Sequence, residues 1–128
     1  MLLLDTCTLL WLAGDPGKLS GKAVDLIRHH ADGLFISAIS AFEIAVKHRR
    51  GGLRLPIEPL EWVPAALKHH GVNELPVTCG IVAASVALPA HHNDPADRII
   101  VATAQIEDLT ILSPDKLIGR YEGTRVQW

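Results

Sequence analysis

The chain has 128 residues, the usual size of one domain with a single hydrophobic core, so we expect one domain over residues 1–128. Hydrophobic residues make up 48% and charged residues 20%, which excludes a disordered chain, and no apolar run reaches the ~20 residues of a membrane span. The formal net charge of −2 argues mildly against a dedicated duplex-DNA binder, but permits an enzyme that meets nucleic acid through bound cations.

The predicted elements alternate between short apolar strands and helices along the whole chain. Start signals include Ser20 as a helix N-cap, and Asp94 as an N-cap followed by Pro95 at the first helical position. In chain order we predict a strand at residues 2–4, helices at 6–12 and 20–31, a strand at 34–36, a helix from 37 or 40 to 50, a helix at 60–70, a strand at 72–77, helices at 78–88 and 94–107, and strands at 109–112 and 125–128.

This alternation predicts an α/β fold, in which βαβ units build a short parallel sheet covered by helices on both faces. In open sheets of this kind, ligands bind at the carboxyl edge of the strands. The sequence contains no internal repeat, low-complexity segment or linker that would divide the chain.

Four acidic residues are predicted to meet at that carboxyl edge. Asp5 follows the first strand, and Asp115 follows the strand at residues 109–112. Glu43 lies early in the helix that leaves the second strand, and Asp97 lies in the first turn of the helix that returns to strand 109–112. Because a helix that connects parallel strands runs antiparallel to them, both helices begin at the same edge.

Converging carboxylates repel one another unless a cation offsets their charge. Carboxylate oxygens are the ligands that Mg²⁺ and Mn²⁺ prefer in proteins. Such an ion activates water and neutralises charge on phosphoryl oxygens. The pattern therefore points to metal-assisted hydrolysis of a phosphodiester.

Each of the four acids also has a purely structural interpretation. Asp5 is equally suited to cap a helix. Ser40 and Glu43 match a capping box, in which Glu43 would only close its own helix. Asp97 fits a first-turn charge favoured by the helix dipole, and Asp115 fits a turn residue. Taken one by one, these interpretations do not predict that all four acids converge.

Several neighbouring residues carry two interpretations. Asp94 is mainly a predicted N-cap, with a metal contact as the minor alternative. Thr6 and Ser113 either hydrogen-bond a carboxylate or cap a helix and a turn. Arg98 is predicted to hold a neighbouring carboxylate or a phosphate. The basic helix end at residues 47–50 is mainly a predicted solvated face, with RNA-phosphate contact as the alternative.

Histidines and cysteines are predicted to play structural roles. Adjacent residues on a helix point about 100° apart, so histidine pairs do not chelate together. Cys7 is expected to pack as a small hydrophobe. With only Cys7 and Cys79 the chain has no disulfide framework, which is typical of the reducing cytosol, and its opening segment lacks the basic region of a signal peptide. The histidine pairs are His29-His30, His69-His70 and His91-His92.

Four segments resemble the PIN domain of VapC-type toxins, in the right order and over nearly the whole chain. Asp5-Thr6 after a short apolar strand resembles the start of a PIN domain. Residues 36–47 (ISAISAFEIAVK) resemble the second-acid segment, residues 92–104 (HNDPADRIIVATA) the third, and residues 112–115 (LSPD) the fourth.

The resemblance implies a PIN-like fold and a Mg²⁺-dependent endoribonuclease, with Mn²⁺ as an alternative ion, that is the toxin of a type II toxin–antitoxin pair. The aspartates would hold the metal, and Glu43 would place or activate the attacking water. Cys7, where family members often have histidine, and Ala96, where a bulky residue is common, depart from the pattern and bear on substrate preference. The implied metal site comprises Asp5, Glu43, Asp97 and Asp115.

The expected partners are RNA, a VapB-type antitoxin and a second copy of the chain. Apolar residues beyond the needs of a small sheet, including Trp11 and Trp62, predict a homodimer and an apolar groove for an antitoxin helix. The alternatives are a non-toxin PIN-like nuclease, a receiver-like phosphoryl-transfer domain and a non-catalytic RNA-binding module. A receiver-like domain needs a functional Lys after a late strand, but no Lys stands between the strand at residues 109–112 and Asp115. A binding module would need stacking aromatics, but only 5% of residues are aromatic.

Overall fold

A computed structural model describes residues 1–128, and none of its helices is long and apolar enough to cross a membrane. The strands are β1 (Leu2–Leu4), β2 (Leu34–Ser37), β3 (Asn73–Leu75), β4 (Thr110–Leu112) and β5 (Arg125–Gln127). The α-helices are α1 (Thr6–Gly14), α2 (Gly21–His29), α3 (Ala38–Arg49), α4 (Pro59–His70), α5 (Cys79–Ala87) and α6 (Pro95–Glu107). Short 3₁₀ turns lie at Pro16–Lys18 and Ile118–Arg120.

The strands form one sheet in the order β3-β2-β1-β4-β5, and every neighbouring pair is parallel. In the central strand β1, Leu4 pairs with Ile36 of β2 on one side and with Leu112 of β4 on the other. The predicted α/β class with a short parallel sheet is confirmed. Because β1, β2 and β4 run in the same direction, the residues that follow them meet at one edge.

Helices cover both faces of the sheet, and the composition of β1 reflects this. Leu2 and Leu4 belong to one buried cluster together with Ile44 of α3. Leu3 points to the other face and belongs to a second cluster with Ile100 of α6. A strand buried on both faces needs a continuous apolar run rather than an alternating one, which is why three leucines suit this position.

The start of α3 decides between the two helix starts that the sequence allowed. Ser37 is the N-cap, and its hydroxyl accepts a hydrogen bond from the Ile39 backbone N–H at 3.2 Å. Ser40 lies inside the helix, fully buried, with its hydroxyl 2.8 Å from the Thr6 hydroxyl. The capping-box interpretation of Ser40 and Glu43 is therefore wrong, and the Glu43 side chain turns toward α1 instead.

The connection between α5 and α6 is held by Arg98. The guanidinium donates to four backbone carbonyls at distances from 2.6 to 3.3 Å. Arg98 therefore binds main-chain oxygens, and not the neighbouring carboxylate that the sequence suggested. The planar guanidinium of Arg can donate to several acceptors at once. Arg98 therefore ties the end of α5 and the connection after it to the start of α6. The accepting carbonyls are those of Val86, Leu88, Pro89 and His92.

Candidate functional site

A cleft opens at the carboxyl edge of the central strands, where acidic side chains from four parts of the chain meet. Asp5 follows β1, Asp115 follows β4, and α3 and α6 contribute Glu43 and Asp97 from their first two turns. All four acids proposed from the sequence thus lie in one cleft. Its lining residues are Asp5, Thr6, Cys7, Glu43, Lys47, Asp94, Asp97, Pro114 and Asp115.

Asp5 is the most buried of these acids, with 5% of its surface exposed. Its Oδ1 atom accepts hydrogen bonds from the Thr8 backbone N–H at 2.8 Å and from the Thr8 hydroxyl at 2.6 Å, so Asp5 caps α1. Its Oδ2 atom accepts a hydrogen bond from the Ser113 hydroxyl. Burial raises the pKa of Asp5, and these hydrogen bonds oppose the rise. Capping and cleft lining are therefore compatible roles for this residue.

Glu43 is oriented by Thr6 from the neighbouring helix. The Thr6 hydroxyl, almost fully buried at the first position of α1, donates to Oε1 of Glu43. Burial raises the pKa of Glu43, the Thr6 hydrogen bond lowers it, and the nearby Asp94 carboxylate raises it again. The hydroxyls of Thr6 and Ser113 thus both bind carboxylates, which is one of the two roles considered for them.

A histidine lies between Asp97 and Asp115. Nε2 of His92 is 3.0 Å from Oδ2 of Asp97 and 3.0 Å from Oδ2 of Asp115. Oδ1 of Asp115 accepts the Leu117 backbone N–H at 2.9 Å, which is the turn role considered for this acid. The side chains of His92 and Asp97 are only 14% and 19% exposed, so water screens this contact weakly.

His92 is the site residue that sequence reasoning missed. The pair His91-His92 was expected to diverge like neighbours on a helix, but it lies in the turn between α5 and α6. The usable signal was its position, because His92 stands two residues before the N-cap Asp94 and in the same segment as Asp97.

Asp94 caps α6, since its Oδ1 accepts the Ala96 backbone N–H at 2.9 Å. Its carboxylate also lies close to those of Glu43 and Asp97, with one oxygen from each inside 4.8 Å of the others. His92, Asp97 and Asp115 form a second group of the same size. Asp97 belongs to both groups and is therefore the centre of the cluster.

Burial among the other carboxylates of the cleft raises the pKa of Asp97 to about 7. Burial is the largest cause, the carboxylates of Asp94 and Glu43 add to it, and His92 opposes it. No Lys or Arg forms an ion pair with any carboxylate of the cleft. Oxygen-only donors without a cationic partner are the set that fits a hard divalent ion such as Mg²⁺ or Mn²⁺.

Cys7 lines the cleft but does not belong to the donor set. Burial raises the pKa of its thiol to about 11, so the sulfur stays protonated near neutral pH. Soft sulfur is also a poor ligand for hard ions such as Mg²⁺, so Cys7 acts here as a small half-buried side chain.

Comparison with known proteins places the whole chain in one group. A family model for the PIN domain matches residues 2–123. The chain is 34% identical over 124 residues to Ribonuclease VapC22 of Mycobacterium tuberculosis (strain ATCC 25618 / H37Rv), an alignment that covers 96% of this chain and 93% of that protein.

Solved structures of toxin–antitoxin complexes contain a similar fold. A toxin–antitoxin complex from Klebsiella pneumoniae matches with a TM-score of 0.68 and 23% identity, covering 100% of this chain and 97% of that one. A DNA-bound VapBC from Salmonella typhimurium matches with a TM-score of 0.72 and 14% identity, covering 98% and 96%. At these identities the likeness concerns the fold.

The raised pKa of Asp97 predicts how the stability of the metal-free protein depends on pH. Folding then binds a proton that the unfolded chain releases, so the free energy of unfolding should fall as the pH rises from 3.8 to about 7. Asp97→Asn should remove the part of this fall that comes from Asp97, while Asp5 and Glu43, whose pKa values burial also raises, still contribute in the same direction. Thermal melts in chelator at several pH values measure the slope. The exposed Asp25→Asn is the control, and an Asp97→Asn slope equal to wild type would contradict the assignment.

Proposed function

This chain belongs to the PIN-domain family, within the VapC-type ribonucleases, and from that premise we propose that it is an endoribonuclease toxin that hydrolyses RNA phosphodiester bonds. The observation that carries the proposal is the convergence of Asp5, Glu43, Asp97 and Asp115 in one cleft with no Lys or Arg pairing. Uncompensated carboxylates are costly, so a cluster of this kind fits a protein that works with a cation.

We assign the metal ligands to Asp5, Asp97 and Asp115, with Mg²⁺ as the ion and Mn²⁺ as the alternative. A bound divalent ion neutralises charge on the phosphoryl oxygens and lowers the pKa of its water. Asp5 and Asp115 come from the segments after β1 and β4, so the strand register places them side by side, and Asp97 joins them from the first turn of α6.

Glu43 is proposed to orient the attacking water and accept its proton. Burial raises the pKa of Glu43, which brings its basicity closer to neutral pH. Thr6 holds one oxygen of the carboxylate and leaves the other for the water. Lys47, which also lines the cleft, is placed to attract a phosphate of the RNA backbone.

The RNA strand is proposed to lie in a groove that continues the cleft along α3. Glu43, Lys47 and Asp94 line both the cleft and this groove. Phe42, 65% exposed, offers a ring on which a base stacks, and Lys47 and Arg50 offer positive charge to phosphates. In a chain with a net charge of −2, this local basic segment supplies the attraction that the whole protein lacks.

An antitoxin is proposed to bind an apolar groove that shares no lining residue with the acidic cleft. Trp11 of α1 and Trp62 of α4 line it together with Leu53 and Leu55 from the loop between α3 and α4. An amphipathic helix laid into such a groove buries its apolar side chains against the two rings. The pair would act in the cytosol, in keeping with the two free cysteines.

A homodimer is proposed through the exposed face of α5. Val82 and Val86 stand one turn apart on this helix and are 41% and 77% exposed, with Ala83 and Ala87 exposed beside them. A small, flat apolar face suits close packing against its own copy about a twofold axis.

The proposed ligand role predicts that Asp97→Asn abolishes activity without unfolding the protein. RNase activity in Mg²⁺ should fall by orders of magnitude, because the variant loses a metal ligand. In metal-free buffer the variant should melt at or above the wild-type temperature, since one repelling charge is gone. Cleavage of a labelled RNA and thermal melts measure the two effects.

Asp94→Asn is the matched control, because Asn keeps the N-cap of α6 and the variant should retain much of its activity. Asp97→Asn that still cuts RNA at the wild-type rate would overturn the carboxylate mechanism and leave only the fold.

The RNA groove predicts two different signatures in binding, measured in the uncleaving Asp97→Asn background. Arg50→Gln should reduce the slope of log affinity against log salt by about 1, as expected when one phosphate contact is lost. Phe42→Ala should weaken binding by about 1–3 kcal/mol, the contribution of one stacked base, with the salt slope unchanged. Arg28→Gln, on the exposed face of α2, is the control. If both groove variants bind RNA as the background protein does, the RNA strand does not lie in the groove along α3.

The dimer proposal predicts that a charge on α5 separates the two copies. Wild-type protein should sediment as a dimer at micromolar concentration, and Val86→Glu should sediment as a folded monomer, because Val86 is 77% exposed in the single chain. Its melting temperature should be lower only by the stabilisation that association supplies. Leu60→Glu, exposed on α4, is the control for a general effect of added charge. A wild-type monomer would refute the proposal.

A further inference from the structure

We propose that His92 is a positioning residue, whose Nε2 atom bridges the two carboxylates, by a hydrogen bond to Asp115 and a close contact with Asp97, and holds them at the spacing in which they receive the cation. This inference rests on the proposed function. Asp97 comes from the first turn of α6 and Asp115 from the loop after β4, and no backbone hydrogen bond of either residue ties one to the other. The imidazole is the group that contacts both, at 3.0 Å each.

The hydrogen-bond network decides which ring nitrogen carries the proton. The backbone N–H of Asp94 donates to Nδ1 of His92 at 3.1 Å, so Nδ1 must present its lone pair. The proton of a neutral imidazole then sits on Nε2, the atom that faces the two carboxylates. The contact with Asp115 is therefore a donor-to-acceptor hydrogen bond, and Oδ2 of Asp97 lies 3.0 Å from the same nitrogen.

The same network argues against His92 as a metal ligand. Ligation through Nε2 requires its lone pair, and the proton would have to move to Nδ1. An Nδ1–H would then face the Asp94 N–H, donor against donor, at a separation of 3.1 Å. Although His92, Asp97 and Asp115 are close enough to share an ion, the imidazole is set up to donate. Ligation is left to the carboxylates.

The turn that carries His92 is built to keep the ring in place. The backbone N–H of His92 donates to the Tyr121 hydroxyl at 2.9 Å, and Tyr121 is 2% exposed. The His92 carbonyl accepts from Arg98 at 3.3 Å. With Nδ1 bound to the Asp94 amide, the backbone on both sides of the ring and the ring itself are anchored. A residue that positions metal ligands through hydrogen bonds must itself be held rigidly in this way.

Two substitutions of His92 separate hydrogen bonding from volume. His92→Leu removes the donor but keeps an apolar side chain, while His92→Gln restores an N–H at a similar reach. Mn²⁺ binding can be followed by the electron paramagnetic resonance signal of the free ion. It should be about 10–100-fold weaker in His92→Leu, which is the usual effect of losing a hydrogen-bond partner of a metal ligand. His92→Gln should recover most of the affinity. His91→Ala, which takes the neighbouring ring off Tyr121, is the control and should bind like wild type.

Nitrogen NMR of the His92 ring gives a second readout that a merely structural role would not produce. We expect the Nε2-protonated tautomer in the metal-free protein and the same tautomer after saturation with Mg²⁺. Loss of the Nε2 proton on adding the ion would make His92 a ligand and overturn the proposal.

The outcomes distinguish this inference from the proposed function. If wild type does not bind Mn²⁺, the metal-dependent mechanism fails, and the bridge is still tested by the tautomer and by the metal-free melting temperature. That temperature should be lower in His92→Leu than in His92→Gln, because two carboxylates then face each other with no donor between them. If His92→Leu binds Mn²⁺ as tightly as wild type, or more tightly, the bridge does not position the ligands and the proposal is wrong.

Discussion

The parallel pairing of β1 with β4 is the contact on which the site depends. It aligns Leu4 with Leu112, so Asp5 and Ser113 leave the sheet side by side and the Ser113 hydroxyl reaches Asp5. Thr8 secures the same junction, because its hydroxyl lies within hydrogen-bond distance of both Asp5 and the Leu112 carbonyl. A buried carboxylate without such donors would be costly. If the pairing of β4 with β1 shifted by one residue, every side chain of β4 would turn to the opposite face of the sheet.

Neutral donors orient the acids of the cleft while leaving their charge intact. Ser113 and Thr8 bind Asp5, Thr6 binds Glu43, and the ring of His92 contacts Asp97 and Asp115. A Lys or Arg in any of these places would fix the carboxylate equally well but would cancel the charge that attracts a cation. The raised pKa of Asp97 reflects its burial first and then the repulsion from the neighbouring carboxylates. Orientation and charge are thus handled by different groups, which is what a cation-dependent cleft requires.

The topology also moderates the repulsion. In a parallel sheet the connecting helices begin at the carboxyl edge of the strands, so the positive N-terminal ends of α1, α3 and α6 lie beside the acids. Asp5 and Asp94 use this directly, each capping the helix that follows it. The structural and the site interpretations of these residues are therefore not rivals, because the same helix end satisfies both.

The sequence by itself determined the parts of this protein that rest on local signals and chain order. Apolar runs and N-caps such as Asp94 located the strands and α6, and the logic of parallel connections brought Asp5, Glu43, Asp97 and Asp115 to one edge. Only the tertiary structure decided which polar groups hold them. His92 meets Asp115 across 23 residues and Thr6 meets Ser40 across 34, and both contacts depend on how a turn or a helix face is rotated. Periodicity carries no information about such rotations, because they are set by packing and by hydrogen bonds that close only when the sheet has formed.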